Sequence, residues 1–263
     1  MIQLLPNAQE FELQNAIHLA EISQLSYQNE VSFRNSAIPF YTNVHFIESP
    51  QNSGYDAEVF VCSNEAAIVV AFRGTESEST EDWLSNIDNR TFGYATGNVR
   101  QGFWQSLESV WFSLKKSVQD LQNNHQKIWL TGHSQGGALA TLAARRFVDE
   151  NMTTQGVYTF GQPKVGDMLF AANYDSFLKS KTFRVYNEGD SVVDNPPKLY
   201  HIGTAIKLTH NGEVEIQSQH NLFDFGENSF MNLLDTIFEY ATDDLKAHHI
   251  ETYLQRLSQK ISS

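Results

Sequence analysis

The pentapeptide Gly132-His133-Ser134-Gln135-Gly136 lies between a short apolar run and an Ala/Gly-rich stretch. That setting constrains the fold more than any other part of the chain. Lys127-Ile128-Trp129-Leu130-Thr131 reads as a buried strand, and Gly137–Val148 as a helix with a small-residue packing face. A serine in the turn between them must take a strained backbone conformation. Glycines two positions to either side let strand and helix come close enough for that turn to close. Such an elbow lifts the Ser134 hydroxyl clear of the sheet, where a base can reach it, and points to acyl transfer through a serine ester. G-x-S-x-G alone is a weak signal. The strand before it, the helix after it and the paired Gly136-Gly137 distinguish it from a Gly-rich turn with a surface serine.

The rest of the chain suits one large α/β domain over residues 1–263, since 41% apolar content can fill a core and no linker, repeat or charge block divides it. Residues 8–27 read as an amphipathic helix with Leu13, Ala16, Ile17 and Ala20 on one face. Ala66–Phe72 is apolar without alternation, as in a strand covered on both faces. A helix is expected over 103–123, strands over Gly156–Phe160 and Phe183–Asn187, and a hairpin with a tight primed turn at Asn211-Gly212. Farther on, Phe230, Leu233, Leu234, Ile237, Phe238 and Ala241 have core-facing helical spacing, and a last short helix starts near His249. Helices alternating with strands imply crossover connections and a mostly parallel central sheet flanked by helices.

A formal net charge of −13 argues against nucleic acid and against capture by anionic headgroups. No apolar run reaches the length needed to span a bilayer, and Met1–Asn7 lacks the basic region and apolar core of a secretory signal. Cys62 is the only cysteine, which rules out an internal disulfide and fits a buried core position. A reducing, cytoplasmic setting is therefore expected, with a mature exported chain as the alternative. No Cys/His spacing suggests a metal, and neither metal nor organic cofactor is expected.

A serine hydroxyl needs a base, normally histidine, oriented by a carboxylate. In folds built on this elbow, acid and base follow the serine in chain order, which sets aside His18, His45 and His125. His133 should point away from Ser134 at so tight a turn and is read as structural. Asp190 follows directly on the strand 183–187, with Gly189 allowing the turn, whereas Asp194 sits farther out against Pro196-Pro197. Among the later histidines, His201 and His210 lie on or near the hairpin and His220 in a polar loop. His248 and His249 sit where a loop meets the final helix; spacing favours neither. The N–H of Gln135, first in the helix, is available to a developing oxyanion.

Gly132–Ala140 (GHSQGGALA), Phe72–Thr75 (FRGT), Asp82-Trp83-Leu84 (DWL), Thr159–Gly166 (TFGQPKVG) and Phe183–Pro197 resemble, in this order, the fungal-type class 3 lipase family. The likeness spans roughly residues 15–257, and the separate motifs make it specific. It implies an α/β-hydrolase fold with a C-terminal hairpin and helices, and a triad of Ser134, Asp190 and a C-terminal histidine. Relatives often carry D-H-x-x-x-x-Y there. His248 has Tyr253 at that distance, which selects His248, although the preceding Asp is Ala247 in this chain. The resemblance also assigns the second oxyanion donor to Thr75, and relatives often have Leu where this chain has Gln135. It makes residues 76–92 a lid, with Trp83, Leu84 and Ile87 facing lipid behind the acidic run Glu76–Asp82; the plainer reading of that stretch is a solvated helix start.

Together these features predict a serine ester hydrolase of lipase or carboxylesterase type that acts on acylglycerol or similar esters and touches a lipid interface transiently. Phospholipase A1, feruloyl esterase and acyltransferase activity would use the same site on another substrate. A silent lipid-binding module is the alternative of a different class, against which the complete Ser/Asp/His set argues.

Overall fold

A computed structural model describes residues 1–75, 90–122, 125–217 and 243–260. The chain opens with helices α1 (Leu13–Leu25) and α2 (Glu30–Ala37), followed by strands β1 (Asn43–Glu48), β2 (Glu58–Ser63) and β3 (Ala67–Phe72). A short hairpin of β4 (Thr91–Tyr94) and β5 (Gly97–Arg100) leads into α3 (Gln101–Leu121). Then come β6 (Lys127–His133), α4 (Gln135–Asp149), β7 (Thr154–Phe160), α5 (Met168–Leu178) and β8 (Thr182–Asn187). The hairpin β9 (Thr204–Leu208) and β10 (Val214–Gln217) and the helices α6 (Asp243–His248) and α7 (Ile250–Gln259) complete the described elements.

Among the described residues, one sheet runs in the order β1-β2-β3-β6-β7-β8-β9-β10. It is parallel from β3 to β9 and antiparallel at both edges. Alternation along β3 shows why its centre is apolar on both faces. Ile68, Val70 and Phe72 enter the core under α3, α4 and α5, while Ala67, Val69 and Ala71 enter the core under α1, α2 and α7. Cys62 belongs to the second core and is fully buried, and desolvation pushes its thiol pKa up.

Three expectations need correction. The first helix begins at Leu13, because Asn15 exchanges hydrogen bonds with the backbone of Leu5 (2.7 and 3.1 Å) and turns the preceding segment back over the helix. The hairpin turn is not a two-residue primed turn. Gly212 N–H bonds Thr209 O at 3.0 Å and Thr209 N–H bonds Glu213 O at 3.0 Å. Gly212 takes positive φ while Asn211 does not. This is a three-residue loop with glycine in the left-handed position, which relieves the steric demand on Asn211. Finally, His248 ends the short helix α6, and a single bend at His249 separates α6 from α7. The helix read over 230–241 lies outside the described residues.

Candidate active site

The site forms where β3, β6, β7 and β8 end. Ser134 follows β6 directly and adopts φ 55°, ψ −123°, a region that L-residues avoid. Its N–H bonds Phe160 O at 2.8 Å, and its carbonyl accepts from Gly137 N at 3.0 Å, so strand and helix both hold the turn. A Cβ on Gly132 would lie 2.3 Å from Gly136 C, and one on Gly136 would lie 2.2 Å from Phe72 O. The glycines are thus required by close approach of α4 to β6 and β3.

His248 reaches this turn from the other side. Its Nε2 lies 2.9 Å from Ser134 Oγ, and its Nδ1 lies 2.9 Å from Asp190 Oδ2 and 3.1 Å from Oδ1. A carboxylate oxygen accepts, so Nδ1 carries the proton and the Nε2 lone pair faces the serine hydroxyl. Gly161, at φ +57°, passes beneath the ring, and a Cβ there would stand 2.8 Å from His248 Cε1. Asp190 projects from the turn after β8, where its Oδ1 also accepts from Val192 N at 3.0 Å. Its Oδ2 accepts the hydroxyl of fully buried Tyr253 at 2.5 Å. All three side chains are buried, with Ser134 4% and Asp190 4% exposed and His248 7%.

Three residues whose structural part the sequence left unread fix this arrangement. Asn187 Nδ2 donates to Ala247 O at 2.7 Å, tying the end of β8 to α6. Tyr253 OH accepts from Asn187 N–H at 3.2 Å while donating to Asp190. Tyr27 OH lies 2.7 Å from His133 Nδ1, and His133 Nε2 lies 2.6 Å from His248 O. A carbonyl only accepts, so His133 Nε2 is protonated and Nδ1 takes the tyrosine proton. Burial, then the neighbouring His248, holds the His133 imidazole well below its ordinary pKa, which keeps it neutral. His133 therefore turns away from the serine and braces the backbone of His248. The five-residue spacing from His248 to Tyr253 was the one visible signal; Tyr27 and Asn187 carried none.

The competing candidates lie elsewhere. Asp194 is exposed, its Oδ1 3.8 Å from His201 Nε2, and His210 Nδ1 sits 2.9 Å from Arg256 Nη2. His249 is exposed and its backbone carbonyl starts α7. Thr75, just past β3, places its hydroxyl on Gln135 Oε1. His220, Trp83, Leu84 and Ile87 lie outside the described residues, as does most of the expected lid. Its last residues, Thr91 and Phe92, belong to β4, where Phe92 stacks on Trp104 at 5.0 Å. A cavity of about 280 Å³ lined by Leu4, His18, Phe40 and Tyr41 among others shares no residue with this site. Among the described residues no His/Cys/Asp/Glu group of three or more could hold a metal.

A parallel sheet with a strained serine at a strand-to-helix turn, and acid and histidine following in chain order, defines an α/β-hydrolase. A family model for lipase (class 3) matches residues 69–200, half of the chain. The chain belongs to the class 3 lipase family. It is 30% identical over 224 residues to a lipase of Rhizomucor miehei, which covers 75% of this chain and 61% of that one. A lipase of Caenorhabditis elegans is 36% identical over 135 residues, covering 49% and 38%. The chain thus spans less than two thirds of the length of these relatives. The solved structure of a mutant MDLA from Penicillium cyclopium superposes over 90% of this chain and 94% of that one, with a TM-score of 0.66. At 20% identity that likeness speaks for the fold alone.

Proposed function

We propose that this chain is a serine ester hydrolase that cleaves acylglycerols or similar carboxylic esters through an acyl-enzyme. The observation that carries the reading is the buried sequence of hydrogen bonds from Tyr253 through Asp190 and His248 to Ser134, at 2.5, 2.9 and 2.9 Å. In this mechanism Ser134 Oγ attacks the ester carbonyl as its proton passes to His248 Nε2. Asp190 keeps the imidazole in the right tautomer and stabilises the imidazolium. The oxyanion takes the Gln135 N–H and the Thr75 main-chain and hydroxyl donors, each worth about 3–4 kcal/mol. His248 then protonates the departing alcohol, and water attacks the acyl-enzyme by the same route.

Contact with substrate lipid is read as transient. No helix among the described residues is long and apolar enough to cross a membrane, and the net charge of −13 opposes adsorption to anionic lipid. The test has two parts: labelling by a fluorophosphonate, and a panel of p-nitrophenyl esters from acetate to palmitate with emulsified triglyceride and phosphatidylcholine. Labelling at Ser134 together with ester turnover is expected. A folded protein that neither reacts nor turns over any ester would identify a binding module instead.

A further inference from the structure

Gln135 offers more than a main-chain donor. Its side-chain Oε1 accepts the Thr75 hydroxyl across the gap between the end of β3 and the first residue of α4. The two residues joined in this way are the two that the proposed mechanism gives to the oxyanion. A threonine hydroxyl has one proton, and an amide oxygen can only accept it. With that proton on Gln135, Thr75 has none to give to a developing negative charge. A primary amide, however, also carries two N–H donors, and a half-turn about Cγ–Cδ exchanges oxygen for nitrogen without moving the backbone.

We propose that the Gln135 side-chain amide is a positioning residue for Thr75, holding its hydroxyl at rest and turning its Nε2–H toward Oγ1 as the oxyanion forms. The inference rests on the reading of Ser134 as the nucleophile. As the bond from Ser134 Oγ to the carbonyl carbon forms, the serine proton passes to His248 and the C=O π pair moves onto the carbonyl oxygen. Thr75 O–H then donates to that oxygen, and Gln135 Nε2–H donates into Thr75 Oγ1. A hydroxyl that accepts one hydrogen bond donates the next more strongly. An apolar residue at 135 keeps the backbone N–H but cannot support this relay.

The test is a double-mutant cycle. Gln135→Met keeps side-chain length without an amide, Gln135→Glu keeps an acceptor without a donor, and Thr75→Val removes the hydroxyl at nearly constant shape. Gln135→Met should lower kcat on p-nitrophenyl butyrate about tenfold with KM within about twofold, and leave the unfolding midpoint in place. In the Thr75→Val background the same change should cost less than about twofold. Gln135→Glu should lose at least as much as Gln135→Met, because a carboxylate holds the hydroxyl but never frees its proton. The second-order rate of Ser134 phosphonylation by a fluorophosphonate reads the whole series where turnover is too slow. Equal losses from Gln135→Met in both Thr75 backgrounds, or wild-type kcat in Gln135→Glu, would overturn the inference alone. Absence of Ser134 labelling in the wild-type protein would overturn it together with the hydrolase reading.

Discussion

Two buried histidines, His18 and His248, have both ring nitrogens engaged, yet only one is set up for chemistry. On the α1 side of the sheet, His18 Nδ1 lies 2.6 Å from Ile2 O and Nε2 lies 2.5 Å from Tyr41 OH. Its partners are a carbonyl and a phenol, with no carboxylate to compensate an imidazolium. Burial lowers its pKa to about 4. At the strand ends, His248 has a carboxylate on Nδ1 and a serine in a strained turn on Nε2. The same imidazole, similarly buried, is a structural hydrogen-bonding group in one place and, in the proposed mechanism, a base in the other. The difference comes from the charge that faces the ring and from the backbone that presents the proton.

The sharpest break of that comparison is to remove the reacting pair. Ser134→Ala and His248→Ala should each lower ester turnover by on the order of 10⁴-fold or more while the protein stays folded. His249→Ala should keep most of the activity. A variant of Ser134 that kept more than about a hundredth of the wild-type rate would reject it as nucleophile.

Asp190→Asn asks whether the carboxylate is what separates the two histidines. An amide can leave His248 in the wrong tautomer, so kcat should fall by about 10³–10⁴-fold. Asp194→Asn should change little, because Asp194 stands beside His201. Comparable losses at both positions would remove Asp190 from the assigned role.

Tyr253→Phe is a finer cut. It takes one hydrogen bond from Asp190 Oδ2 and leaves Asn187 N–H without its acceptor. About 1–3 kcal/mol of stability should go, with a turnover loss of about tenfold through a less firmly held carboxylate. Denaturant unfolding and kcat should both move; unchanged kcat would make Tyr253 a packing residue only.

The last expected effect concerns pH and touches stability rather than turnover. His18 is depressed to about 4 in the folded protein against 6.5 when unfolded, and burial holds His133 down as well. Between those values the unfolded chain binds more protons, so stability is complete above pH 6.5 and falls as pH drops toward 4. His18 alone accounts for on the order of 3 kcal/mol over that window. Urea unfolding at pH 7, 6 and 5 should show the decline, and His18→Gln should make it shallower while the contribution of His133 remains. A slope unaltered by that change would place the proton uptake elsewhere.

Much of the site is local in sequence and was legible there. The Ser134 elbow is written in five residues and their flanks. Asp190 is one turn past the strand read over Phe183–Asn187, and the two-sided burial of β3 follows from its uninterrupted apolar run. At the hairpin, Asn-Gly chemistry suits both a two-residue primed turn and a three-residue loop, and the strand register selects the loop. The His248/His249 choice needed the likeness to a family, since adjacent residues share every spacing argument.

What the chain determines by itself is therefore the strand-turn-helix pattern, the acid that follows a strand end and the glycines that let backbones touch. Without the likeness to a family, only the tertiary structure decides which of two neighbouring histidines turns inward, because that depends on Asn187 and His133 gripping the backbone on either side of it. It alone joins Tyr27 to His133 across 106 positions and Asp190 to Tyr253 across 63. Hydrogen bonds are short-ranged and directional, so partners far apart in sequence leave no periodic trace in the chain. Their pairing exists only once the sheet and its helices have packed.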